Sequence, residues 1–315
     1  MRVLITGGSG FLGRHLVSAV RAAGHEVLAP RRYELNLETL SGSAPYLDEH
    51  VPQPGGIDVL IHSAAYYGGI GINASEPATI FAKNTRMAGS VFELARQYQI
   101  KKVLPIGSAC AYPGYSEGDL KERDFWAGPL HESVEAYGFS KKMQLVAQRA
   151  YYKQHRLESN HLIVTNLYGP HDVFTEYRSH VLSALIKKFA DAKQRGENVT
   201  LWGDGSPIRE FLYVADAAEA IVRAIALPHD LEPINIGTGV GTTIRELAEL
   251  ISRHIGYRGR IEWDTTKPNG TARKVLDITR MKAKLGWSPQ WSLERGLAET
   301  VRWYLANQAA ADERR

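Results

Sequence analysis

Three glycines, Gly7, Gly10 and Gly13, mark the passage from the apolar run RVLIT into the stretch FLGRHLVSAVRAAGH, which has helical spacing and ends at Gly24. A strand delivered straight into a helix through such a turn is the first half of a βαβ unit. The run before the turn is apolar without alternation, so both faces of its sheet must be covered. The same grammar then recurs. EVLAP, IDVLIHSAA, KKVLPIGSA and HLIVTNLYG read as strands, while NTRMAGSVFELARQYQI and AYGFSKKMQLVAQRAYYKQH read as helices. Strand and helix in alternation predict an α/β fold built on a doubly wound parallel sheet.

After Pro170 the alternation loosens into HDVFTEYRSH, then a helix, then NVTLWGDGSPIREFLYV. ADAAEAIVRAIAL reads as a helix and PINIGTG as a strand; TIRELAELISRHIG and SLERGLAETVRWYLANQ are further helices, and the polar tail AAADERR is expected to fray. No linker or repeat divides the chain, so the second lobe is expected to interleave with the first. A dinucleotide-binding domain is expected over 1–165, with 214–238 returning to it, and a smaller α/β substrate lobe over 166–213 and 239–315.

With 315 residues, 44% hydrophobic and 23% charged, the chain suits a soluble globular protein with a sizeable core. No apolar stretch approaches the roughly 20 residues a membrane span needs. The first residues lack the long apolar core of a signal peptide. A single cysteine excludes an intramolecular disulfide and fits a reducing cytoplasm. A formal charge of +4 and a pI near 9.0 lean weakly towards anionic ligands. No dense Lys/Arg block accompanies them, so neither nucleic acid nor a membrane is an expected partner.

At the first βα junction the G-x-x-G-x-x-G spacing lets backbone N–H groups and a helix N-terminus approach a pyrophosphate, which reads as a Rossmann dinucleotide site. The second strand ends in Arg31 and Arg32, where a carboxylate would select a free ribose 2′-hydroxyl. Two guanidiniums suit a 2′-phosphate instead, so the expected cofactor is NADP(H). The plainer reading of the pair is two solvated surface arginines.

Tyr137 and Lys141 in AYGFSKK lie four apart at a helix start and project from one face. A phenol beside an ammonium can exchange a proton near neutrality. Ser108, ending the preceding strand, completes a set able to move a proton on an oxygen while hydride moves on its carbon. The plainer reading is a solvent-facing Tyr/Lys pair.

In these residues the chain resembles the extended short-chain dehydrogenase/reductases. YYGGIGINASEPATIFAKN, GSACAYP, TNLYGPHDVF, SHVLSALIKKF, LWGDGSPIREFLYVAD and KPNGTARKVLD together narrow the resemblance to the GDP-L-fucose synthase family, which performs 3,5-epimerisation and 4-reduction on GDP-4-keto-6-deoxymannose. The resemblance implies the catalytic set Ser108, Tyr137 and Lys141, with Cys110 and His180 exchanging the protons beside the ketone. Strand alternation would turn Ser108 and Cys110 to one face across Ala109. The plainer readings are strand packing for Cys110 and a helix cap for His180.

The resemblance also implies cofactor contacts from Gly7, Gly10, Phe11, Leu12, Gly13, Arg31, Arg32, Ala64, Ala65, Tyr137, Lys141, Asn166 and His180. Asn166, Lys188, Trp202, Arg209 and Lys267 are expected at the substrate, with Lys187 a further cationic candidate. Lys188 stands where the family carries arginine. Asn84 is a candidate for ordering the layer near the glycine turn. The family pairs the helices 84–99 and 137–155 across a homodimer. Ala109 replaces a serine of the family pattern, so a related 4-keto hexose or heptose, or a strict epimerase or reductase, is the alternative. A non-catalytic NADP-binding redox sensor is the rival from another class. It has no need of Ser108, Tyr137 and Lys141 together.

Overall fold

In the computed structural model, residues 1–39, 44–51, 53–116, 118–175, 177–267 and 269–313 are described. β1 (Arg2–Thr6), α1 (Phe11–Ala22) and β2 (Glu26–Leu28) form the first βαβ unit. α2 (Pro45–His50), β3 (Val59–His62), α3 (Ile70–Ser75) and α4 (Pro77–Gln97) follow. β4 (Lys102–Ser108) passes through a 3₁₀ turn, Ala109–Ala111, towards α5 (Glu135–His155). β5 (Glu158–Ser159), β6 (Leu162–Val164), β7 (Asn166–Tyr168), α6 (Val181–Arg195), β8 (Val199–Trp202) and β9 (Ile208–Tyr213) come next. α7 (Val214–Ala224), β10 (Ile234–Ile236), β11 (Gly241–Thr243), α8 (Ile244–Ile255) and β12 (Ile261–Asp264) precede β13 (Arg273–Lys274) and α9 (Thr279–Leu285). α10 (Leu293–Ala306) and α11 (Gln308–Asp312) end the chain.

The large sheet runs β10-β6-β4-β3-β1-β2, with β5 beside the start of β4, and all its pairs are parallel. The middles of its central strands are apolar because each face packs on helices. In β1, Val3 and Ile5 pack with Leu16 and Val20 of α1 and Ile221 of α7. Leu4, between them, packs the other way with Leu47, Val91 and Phe92. β3 and β4 repeat this split, Ile61 and Ile106 joining the first core, Leu60 and Val103 the second. Each such side chain contributes roughly 2 kcal/mol by leaving water. The chain leaves β1 for β2 on one side and reaches β3 on the other. This reversal opens a crevice at the carboxyl ends of the strands.

From Asn166 onward the chain builds smaller sheets. β9 pairs with antiparallel β11 and with parallel β13 and β7, while β8 pairs with β12. A separate core of Leu185, Ile186 and Phe189 from α6, Leu247 and Ile251 from α8, and Leu297 and Val301 from α10 fixes this layer. Within 214–238 the chain turns back: α7 packs on α1 and β10 borders β6. Among the described residues no helix is long and apolar enough to cross a membrane.

Three local expectations change. The strand expected to continue through Ala109 stops at Ser108, whose Oγ accepts the Cys110 N–H at 3.2 Å and diverts the backbone into the 3₁₀ turn. The helix expected from Asn84 starts earlier, at Pro77, whose fixed φ suits a first helical position. The tail does not fray over Gln308–Asp312: Ala311 is buried, and Asp312 accepts from Lys187 Nζ at 2.8 Å and from the Tyr304 hydroxyl at 3.0 Å. Arg314 and Arg315 of that tail lie outside the described residues.

Candidate active site

A cavity of about 1050 Å³ lies over the carboxyl ends of β1, β3, β4 and β6, walled on its far side by α6, β8 and the segment 269–274. Gly7, Gly10, Phe11, Leu12 and Gly13 line one end. Gly7 has a φ of +73°, and a Cβ there would come within 2.7 Å of the Ala64 backbone. A Cβ on Gly13 would lie 1.9 Å from the Gly7 carbonyl oxygen, so only glycine lets α1 seat so close to β1. Gly10 caps α1 without any side-chain bond, and no acidic residue stands in the first turn. The helix start therefore keeps its positive end for an anion.

Ala64 and Ala65 continue the wall, as does Arg32, which pairs with Glu38 at 2.8 Å. Arg31 is not among the lining residues; its backbone N–H donates to Glu34 at 2.6 Å. The expected pair thus supplies one guanidinium to the cavity, because the turn at 31–35 directs the two residues differently. The bare cradle fits a dinucleotide pyrophosphate, and Arg32 fits a 2′-phosphate. At the floor, Thr6 Oγ1 and His62 Nδ1 are 2.8 Å apart. Burial, with the Lys141 charge adding to it, holds this imidazole neutral down to about pH 3.

Deeper in, Ser108 ends β4 while Tyr137 and Lys141 descend one face of α5, and all three line the cavity. The Ser108 hydroxyl lies close enough to the Tyr137 phenol to act on it. Burial pushes that phenol up, Cys110 and Tyr67 add to the rise, and Ser108 opposes it. Lys141 Nζ donates to the Ile106 carbonyl at 2.9 Å and lies 5.7 Å from the Tyr137 ring centroid. Burial brings its ammonium down to about 8. An ammonium this close to neutrality beside a phenol can accompany a proton to an oxygen and be refilled from solvent.

Cys110 and His180 line the same cavity. The thiol reaches it from the 3₁₀ turn and not by strand alternation; Ala109 is buried while Cys110 is half-exposed. It lies near enough to Tyr137 and Arg209 to act on both electrostatically. His180 precedes the first residue of α6, and burial pulls its imidazole below the ordinary value. Its ring stacks on Tyr67, with centroids 5.6 Å apart and planes 14° from parallel.

At the far end stand Asn166, Lys188, Trp202 and Arg209. Asn166 Nδ2 donates to the Glu210 carbonyl at 2.9 Å, Lys188 Nζ to the Thr200 carbonyl at 2.5 Å, and Arg209 Nη1 to the Ile208 carbonyl at 2.9 Å. Trp202 leaves 65% of its surface exposed, an aromatic face open to a base. Lys187 is engaged by Asp191 at 3.2 Å and Asp312 at 2.8 Å. Lys267 is not among the lining residues; Asn269, Gly270, Thr271 and Lys274 are, and Pro268 of the same KPNG segment lies outside the described residues. Asn269 Oδ1 accepts the Asp204 N–H at 2.9 Å, tying this segment to the turn after Trp202. Asn84 stays behind the wall, bonded to the Tyr66 backbone.

Sequence reasoning missed Tyr67, Glu38 and Asn269. The doubled tyrosine in YYGG and the asparagine in KPNG sit inside quoted motifs, but nothing local shows that they meet His180 and Asp204 across the cavity.

The model of the NAD dependent epimerase/dehydratase family matches residues 3–237. The GDP-L-fucose synthase of Escherichia coli (strain K12) is 37% identical over 318 residues, covering 98% of this chain and 97% of that protein. The NADP-bound structure of a GDP-L-fucose synthetase from Naegleria fowleri superposes with a TM-score of 0.87 at 25% identity, covering 99% of this chain and 96% of that one. A GDP-mannoheptose C4 reductase from Campylobacter jejuni with NADP bound gives 0.84 at 25% identity, over 96% and 98% of the two chains.

Proposed function

The chain belongs to the NAD dependent epimerase/dehydratase family, in its GDP-L-fucose synthase branch, and from that premise we propose that it is an NADPH-dependent 3,5-epimerase/4-reductase of a GDP-4-keto-6-deoxyhexose. The observation that carries this reading is one cavity holding two sets of proton-transfer groups. Ser108, Tyr137 and Lys141 serve the carbonyl, and Cys110 and His180 serve its neighbours.

A C4 ketone acidifies the C–H bonds at C3 and C5. The Cys110 thiolate takes a proton from one such carbon, leaving an enolate, and the His180 imidazolium returns one to the opposite face. Burial makes that imidazolium a readier donor. Bound NADPH supplies the hydride for C4. Ser108 holds the carbonyl oxygen, and Tyr137 gives its proton to the alkoxide as it forms, with Lys141 stabilising the phenolate that remains. Lys188 and Arg209 suit the diphosphate, Lys188 as a point charge, while Trp202 suits the base and Asn166 the sugar. In this reading 1–165 with 214–238 carry the cofactor, and 166–213 with 239–315 the sugar nucleotide. A homodimer through α4 and α5 and a cytoplasmic setting that keeps Cys110 reduced complete it.

The test separates the half-reactions. Cys110→Ser is expected to stop solvent-deuterium entry at the carbons beside the ketone while NADPH still binds. Tyr137→Phe is expected to keep that exchange and lose hydride transfer by about 10²–10⁴-fold, the range for general acid catalysis. Likeness to a C4 reductase supports a second reading in which only C4 is reduced. That reading holds if wild-type protein oxidises NADPH without any such exchange.

A further inference from the structure

The loop after β3 has a role beyond lining the cavity. Asn84 grips the Tyr66 backbone: its Oδ1 accepts the N–H at 2.9 Å and its Nδ2 donates to the carbonyl at 2.8 Å. One residue on, the Tyr67 carbonyl accepts from Arg178 Nη2 at 3.1 Å, and Gly69 N–H donates to the Arg178 carbonyl at 3.1 Å. Asn73 Nδ2 donates to the carbonyls of Gly68 and Gly69 at 3.1 and 2.9 Å. The contact is too tight for a larger residue, since a Cβ on Gly69 would come within 2.3 Å of the Ser179 carbonyl oxygen. The loop that carries Tyr67 and the segment that carries His180 are therefore one unit. Their rings lie offset-stacked on the cavity wall.

We propose that Tyr67 is a positioning residue for epimerisation, its ring fixing the plane of the His180 imidazole against the sugar. An imidazole joined to the backbone through one flexible side chain samples several rotamers, and proton transfer to carbon demands one. A face held against it from a backbone-clamped loop removes that freedom in advance. The C4 step, which runs through Ser108, Tyr137 and Lys141, does not need this orientation.

This inference rests on the functional reading above, and the experiment keeps the two apart. Two rates are measured: solvent-deuterium exchange beside the ketone, and NADP⁺ reduction with GDP-L-fucose, which involves C4 alone. Tyr67→Leu is expected to lower exchange about tenfold, while Tyr67→Phe, which keeps the stacked face, stays within about threefold of wild type. Both variants bind NADPH, and because Tyr67 also acts on the Tyr137 phenol, the signature is a split: Tyr67→Leu lowers exchange at least about threefold more than it changes C4 oxidation. If Tyr67→Leu does not bind NADPH, Tyr67→Met fills the loop without a ring and takes its place. A ringless variant that exchanges at the wild-type rate, or loses both rates in parallel, overturns the proposal, as does a Phe variant that fails like the ringless one. Wild-type protein that performs neither reaction removes the functional reading and this inference with it.

Discussion

A buried ammonium assists a phenol only while it is charged. Lys141 is buried, and its pKa falls from 10.5 to about 8, so within the alkaline range of ordinary assays it passes from cation to neutral amine. The reduction rate is accordingly expected to decline as pH rises through about 8. Lys141→Arg, whose guanidinium keeps its proton, is expected to be slower at neutral pH but free of that decline. A profile for wild type that stays level to pH 10 contradicts this role. The same shift carries a stability consequence. The folded pKa lies below the unfolded one, so the unfolded chain binds more protons between about 8 and 10.5, and stability rises with pH across that window. Below about 8 the desolvation penalty is present in full. Lys141→Met is therefore expected to be more stable than wild type at pH 7 by about 1–2 kcal/mol, read from denaturant midpoints, while losing reduction. A less stable variant shows that the bond to the Ile106 carbonyl outweighs the burial of charge.

At the scale of elements, the glycine turn separates two roles that its spacing alone does not. Gly13 faces the Gly7 carbonyl at a distance no Cβ tolerates, whereas a Cβ on Gly10 would lie 3.1 Å from the same oxygen, a gap that a small shift relieves. Gly13→Ala is thus expected to part α1 from β1, costing about 2–3 kcal/mol and NADPH binding together. Gly10→Ala is expected to fold near normally and bind NADPH more weakly, because the added methyl stands where α1 meets the anion. Calorimetry with a binding titration distinguishes them; two equally stable variants refute the packing argument. The turn and the alternating elements were legible because each is dictated locally, by Cβ sterics or by apolar runs buried on both faces. The end of β4 was not, since a serine side chain that captures the backbone N–H two residues on diverts the chain without any change in the apolar pattern. Nor was the fate of Arg31 and Lys267, two cations whose direction depends on turns without periodicity. Tyr67 lay hidden for another reason: its partner stands 113 positions away, and only the folded loop brings them face to face.

On the scale of the whole molecule, α4 and α5 together expose an apolar patch among the described residues. Phe81 on α4 and Phe139 on α5 are 42% and 52% exposed with centroids 6.2 Å apart, and Val146, two turns on from Phe139 along the same face, is 51% exposed. Large apolar side chains gathered on two adjacent helices mark a contact more often than a free surface. Charged residues elsewhere on these helices keep the patch bounded. A two-fold pairing of this face with itself would bury Phe81, Phe139 and Val146 of both copies against one another. The consequence reaches the cavity, because α4 also holds Asn84, the clamp on the Tyr66 loop, while α5 holds Tyr137 and Lys141. A partner pressed on these helices would stiffen both proton-transfer sets at once. Phe139→Glu places a charge in the centre of the patch and is expected to convert a dimer to monomers in sedimentation equilibrium at micromolar concentration. It should also lower the midpoint of thermal unfolding and reduce turnover per chain, although Phe139 is not itself a lining residue of the cavity. Wild-type protein that sediments as a monomer under those conditions removes the pairing, and with it the expectation that catalysis depends on a second copy.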